Sequence, residues 1–243
     1  MRRWARYFED QGIVLGMRNF RFGIKVALIL IAGASISSLK LEAQSAPVYT
    51  PPAVASNEPL AGVRYDHRWE AYGGFAYAHF DAGPNVLEGA NLGGFDVQVA
   101  RFFTKRWAAA ANARGYYGTS AAVPNHFGIS GPFVSEHMFL GGPEYRGPSN
   151  EHASITLHAL FGGAYGLFDH ALGGIPPGEV GFFNNQLTFG SAIGGSIDLN
   201  RSPKLALRIS PDATLTDFGS AGIKEQFAIS VGIVYRLGKP SLK

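Results

Sequence analysis

Residues 226–237 read Gln-Phe-Ala-Ile-Ser-Val-Gly-Ile-Val-Tyr-Arg-Leu. Phe227, Ile229, Val231, Ile233, Tyr235 and Leu237 share one parity, whereas Gln226, Ala228, Ser230, Gly232 and Arg236 share the other, with Val234 as the single apolar residue among them. Successive side chains of a strand point to opposite faces, so the stretch is a strand with one greasy face and one small or polar face. Its length is that of a tilted strand crossing a bilayer, with the greasy face toward hydrocarbon and the other toward a lumen.

The same period recurs upstream. Strands are expected over 69–80, 94–103, 107–117, 133–145, 155–165, 186–199 and 205–214, which with 226–237 makes eight. Phe95, Val97 and Val99 alternate with Asp96, Gln98 and Ala100; Leu187, Phe189, Ile193 and Ile197 alternate with Gln186, Thr188, Ser196 and Asp198. In the fourth strand Val134, Met138 and Leu140 share the parity of Glu136, so its two faces are less distinct. The polar parity nominates an interior network of Asp96, Gln98, Asn112, Arg114, Glu136 and Arg208. If the second and third strands form a hairpin about Lys105, Asp96 faces Arg114 and Gln98 faces Asn112. Buried charges need partners, and these pairings supply them.

The connections alternate in length. Those over 104–106, 146–154 and 200–204 are short and polar; those over 81–93, 118–132, 166–185 and 215–224 are long and rich in Gly, Pro and Asn. In outer-membrane barrels the short turns face the periplasm and the long loops face outside. An even strand count then leaves both chain ends in the periplasm.

The formal charge of +3 does not describe the barrel. Residues 1–43 hold seven of the 21 basic and three of the 18 acidic residues, which leaves 14 basic against 15 acidic in the remainder. No nucleic-acid partner is implied. Residues 1–43 are expected to be a signal peptide: Arg18, Arg21 and Lys25 precede an apolar core over 26–34, and Leu41-Glu42-Ala43 precedes the cleavage point. Met17 is an alternative start. Residues 44–65, with Pro47, Pro51, Pro52 and Pro59, are expected to be a flexible periplasmic leader, 66–238 the barrel and 239–243 a short tail. Without Cys, disulfides and thiolate metal sites are excluded.

The chain resembles the small eight-stranded outer-membrane barrels, of the kind seen in the membrane domain of outer membrane protein A. The resemblance covers about 69–237 and lies in the strand pattern, the alternating connections and the last strand, where Ser230, Gly232, Tyr235 and Leu237 are similar to the assembly signal of bacterial outer-membrane barrels. It implies an all-β, eight-stranded antiparallel up-and-down transmembrane barrel in the bacterial outer membrane. Its implied partners are outer-membrane lipid and, through the last strand, the barrel-assembly machinery, with the barrel a monomer. A peptidoglycan-binding domain is not implied, because only residues 238–243 follow. Trp69, Trp107, Tyr145 and Tyr235 fall near expected periplasmic strand ends and Tyr77, Tyr117 and Tyr165 near outer ends, as the two aromatic girdles of such barrels require.

Chemistry is sparse. None of the seven His belongs to an HExxH pattern, and no cofactor or metal site is expected. His152-Ala153-Ser154 is similar to the His-x-Ser pair of outer-membrane lipid A deacylases, but it falls in an expected periplasmic turn, away from lipid A, and Asp169 is the next acid after Glu151. The expected function is that of a non-enzymatic integral barrel with a structural or surface-interaction role and a side-chain-filled interior, not a general porin. Two alternatives are a lipid-modifying outer-membrane enzyme and a soluble secreted barrel binding a small apolar ligand. The second requires Phe95, Val97, Phe189, Ile193, Ile229 and Ile233 to face inward.

Overall fold

The computed structural model describes residues 60, 62–83, 89–219 and 222–238; the expected signal peptide, most of the leader and the tail lie outside them. Eight antiparallel strands follow in order: β1 (Trp69–Phe80), β2 (Ala90–Phe102), β3 (Trp107–Thr119), β4 (Phe133–Ser149), β5 (Ala153–His170), β6 (Gln186–Asn200), β7 (Leu205–Thr216) and β8 (Lys224–Leu237). Each pairs with the next, and β1 pairs with β8, closing the barrel. The eight strands are thus where the period-two pattern places them, and β8 is the stretch that closes the ring.

Several strands run further than the alternation reaches. β2 begins at Ala90 and β5 continues to His170, because ladder pairing is a backbone property that persists beyond the lipid-facing segment. The strands remain hydrogen-bonded to their neighbours out to the loops. A four-residue 3-10 turn, Pro177–Val180, sits in the connection between β5 and β6.

The register fixes the geometry. From Trp69 it runs to Arg101, Ala109, Pro143, Ala159, Ile193, Ala213 and Phe227, and returns to β1 at His79, ten residues beyond its start. Eight strands with that stagger tilt by about 40° and enclose a bore with a backbone radius of about 8 Å, which side chains fill.

Over the spanning segments the pairs join residues of equal parity, so even-numbered side chains point inward in all eight strands. Odd-numbered ones face out, and many are large and apolar: Phe75 is 86% exposed, Leu187 73% and Phe139 68%. Phe95, Val97, Phe189, Ile193 and Ile233 are exposed on this outer face, with Ile229 half-buried beside them. This overturns the soluble barrel with an apolar interior: an apolar belt outside and charges inside suit hydrocarbon as the surrounding solvent. The three short turns lie at one rim and the four long loops at the other.

Two inward glycines show how tightly the sheet coils. A Cβ on Gly142 would run into the backbone carbonyl of Ala159, and one on Gly232 into that of Gly73. Neighbouring backbones approach there because nothing projects from either glycine.

Candidate functional site: the barrel interior

Three layers fill the bore. At the periplasmic end Glu70 of β1 collects three guanidinium groups: its Oε1 accepts from Arg146 Nη2 at 2.5 Å and Arg236 Nε at 3.2 Å, and its Oε2 from Arg208 Nη2 at 3.5 Å. Arg208 also grips Asp198 with two donors, Nε at 2.7 Å and Nη2 at 2.9 Å. Arg236 donates to Asn200 Oδ1 at 2.9 Å, and Gln98 donates to Glu144 Oε2 at 2.6 Å. Below this layer, half-buried Tyr65 covers two of its arginines. Its ring lies 5.0 Å from the Arg146 guanidinium and 4.9 Å from that of Arg236, and its hydroxyl donates to the Asn150 carbonyl at 2.8 Å.

The middle layer is centred on Arg114. Its Nη1 meets Asp212 Oδ2 at 2.5 Å, its Nε donates to Asn112 Oδ1 at 2.8 Å, and Asp96 Oδ1 lies 3.5 Å from Nε. Asn112 Nδ2 donates to Asp96 Oδ1 at 2.6 Å, and His158 Nε2 is 2.8 Å from the other oxygen of Asp212. A chain of hydroxyls completes it: Tyr72 donates to Ser230 Oγ, which donates to Asp96 Oδ2, each at 2.9 Å.

The outer layer is apolar. Phe80, Phe168, Phe183 and Phe218 form a ring cluster with centroid separations between 5.5 and 6.4 Å. Leu92, Val134, Met138 and Leu160 line it from the strands, and Leu172, Val180 and Phe182 reach it from the connection between β5 and β6. That connection folds over the mouth. It is pinned where Phe183 N–H donates to the Ala82 carbonyl at 3.1 Å and Phe168 N–H to Asn185 Oδ1 at 2.7 Å.

Of the residues nominated from sequence, Asp96, Asn112 and Arg114 meet in the middle layer, Gln98 bridges toward Glu144, and Arg208 lies in the periplasmic layer. Asp96 and Arg114 are direct cross-strand partners, as are Gln98 and Asn112. Glu136 stands apart, fully buried with neither carboxylate oxygen hydrogen-bonded. The mixed character of β4 now has a physical cause: Val134 and Met138 belong to the apolar outer layer, so this strand's inner face changes character along its length. Val234, the apolar residue on the inner face of β8, packs with Tyr72 and Ala206. In the last strand Ser230 and Gly232 face inward while Tyr235 and Leu237 face outward.

Several network members were not nominated: Glu70, Glu144, Arg146, His158, Asp198, Asp212 and Arg236. All share the even parity of Asp96, and the registers Glu70–Arg236 and Asp198–Arg208 set opposite charges across from one another, as Glu144–His158 sets a carboxyl group across from an imidazole. His152 and Ser154 do not form a nucleophile and base. His152 is exposed beside Glu151, whereas the buried Ser154 hydroxyl has no hydrogen-bond partner. No group of three or more metal-ligating side chains occurs among the described residues.

No family model and no curated protein matches the chain. Among solved structures, Neisserial surface protein A is similar at 11% identity with a TM-score of 0.51, covering 70% of this chain and 97% of its own. Ail of Yersinia pestis, at 15% identity and a TM-score of 0.46, covers 71% of this chain and 99% of its own. OprG from Pseudomonas aeruginosa, at 11% identity and a TM-score of 0.48, covers 72% and 99%. The chain has the fold of the small eight-stranded outer-membrane barrels. With its edge-free ladder, apolar outer belt and polar bore, it is an integral protein of the bacterial outer membrane.

Proposed function

We propose that this outer-membrane barrel is a non-conducting, non-enzymatic scaffold that strengthens the envelope and carries its four long loops to the cell exterior. The observation that carries this reading is the filling of the bore at both ends: Tyr65 under Arg146 and Arg236 at the periplasmic end, and the Phe80, Phe168, Phe183 and Phe218 cluster at the outer end. Between them Glu70, Asp96, Asp198 and Asp212 are paired with Arg114, Arg146, Arg208 and Arg236, so an ion entering would have to break paired, desolvated charges. The reading includes residues 1–43 as the export signal and Ser230, Gly232, Tyr235 and Leu237 as the feature handed to the assembly machinery.

The test is electrical. Refolded protein inserted into a planar bilayer should give no stepwise conductance above the lipid baseline, and vesicles containing it should not swell in small sugars. Reproducible unitary openings would overturn the scaffold reading.

A further inference from the structure

The outer surface of the barrel at its periplasmic end carries more than an ordinary aromatic girdle. Trp69 of β1 is the register partner of Arg101 of β2, whose guanidinium lies 5.5 Å from the Trp69 ring and 5.8 Å from that of Phe103. Phe103 N–H donates to the Trp107 carbonyl at 2.9 Å, and Trp107 packs on Tyr145 with centroids 4.9 Å apart. Arg106 then donates to the Tyr145 hydroxyl at 3.4 Å. Two arginines are thus held among four lipid-facing rings across β1 to β4, and neither meets a carboxylate among the described residues. The wider charge distribution agrees. The three periplasmic turns hold Lys105, Arg106, Arg201 and Lys204 against Glu151, while the outer connections hold Asp81, Glu88, Glu179 and Asp217, with Lys224 at the start of β8 paired to Asp81.

We infer that this patch is a binding site for the phosphate of an anionic phospholipid in the periplasmic leaflet. Arg101, laid on two aromatic faces, keeps its fork of donors at their edge, and that fork matches two phosphate oxygens, while Arg106, tethered to the Tyr145 hydroxyl, adds a second positive charge. The rings sit at headgroup depth with the acyl chains below them, so one lipid molecule satisfies both halves of the patch. A basic rim near an anionic leaflet adds attraction that falls with salt.

This inference rests on the membrane placement, and one experiment separates the two. The chain's tryptophans are Trp4, Trp69 and Trp107, so in full-length W4F protein all tryptophan emission comes from the patch. The protein is reconstituted in phosphatidylcholine vesicles containing equal mole fractions of brominated phosphatidylglycerol or brominated phosphatidylcholine. The brominated glycerol lipid should be enriched at the tryptophans by roughly fivefold or more, as read from quenching at low mole fraction. R101Q/R106Q should bring the ratio to about one, R101K/R106K should lower it partly, and R201Q/K204Q should leave it unchanged. A heat-dependent gel shift verifies that each variant is folded; should the Gln pair not fold, the Lys pair decides. Equal quenching by the two lipids in the parent protein overturns the site, as does an equal loss in R201Q/K204Q, which would reduce the effect to rim charge. Absence of quenching by either lipid would overturn the membrane placement itself.

Discussion

Glu70 is the side chain on which the periplasmic layer depends, because Arg146, Arg208 and Arg236 all donate to it. Removing one partner from a buried ionic cluster leaves the others desolvated and unpaired, which costs more than the cluster itself contributes. Glu70→Ala should therefore lower stability by about 3–5 kcal/mol in a urea titration of the vesicle-inserted protein, with Glu70→Gln in between. A loss no larger than that of an exposed substitution would show that the cluster is not formed. Glycine supplies a second test at this scale. Gly142→Ala should destabilise by about 1–3 kcal/mol because its new Cβ meets the Ala159 carbonyl. Gly73→Ala, whose Cβ would be 4.0 Å from Val97 Cγ1, should be close to neutral.

Among the elements, hairpins were legible and cross-bore contacts were not. A short turn fixes the register of the strands it joins, so the Asp96–Arg114 pair follows from the position of Lys105 alone. The same arithmetic about the middle of the third turn, residue 202, pairs Asp198 with Ala206 and misses the observed partner, Arg208, by two residues. The contact between Glu70 and Arg146 joins β1 to β4 across the lumen and needs the ten-residue stagger of the closed ring, which no single hairpin carries. The long connection before β6 was legible only as a Gly- and Pro-rich loop. Its Val180, Phe182 and Phe183 are buried because the barrel offers an apolar mouth to receive them, and that mouth is assembled from β1, β2, β4 and β5 together. Phe183→Ala should lower stability by roughly 3–5 kcal/mol and speed proteolysis within residues 171–185. Unchanged cleavage would mean that the loop is not anchored by that ring.

For the whole molecule the central claim is an inversion of the soluble pattern: odd-numbered residues in lipid, even-numbered ones sealed in a packed bore. Parity is kept around the entire ring, so a single scan along one strand tests it. The chain has no Cys, which allows a spin label to be placed at each position from Phe227 to Leu237 of β8 without background. The most direct measurement is the accessibility of these labels, in folded protein in vesicles, to oxygen, which partitions into lipid, and to a water-soluble nickel chelate. Labels at 227, 229, 231, 233, 235 and 237 should show high oxygen accessibility, greatest near the strand centre, and those at 228, 230, 232, 234 and 236 should be shielded from both reagents. High chelate accessibility at the even positions would mean a water-filled channel; loss of the period of two would mean that β8 does not close a membrane barrel at all.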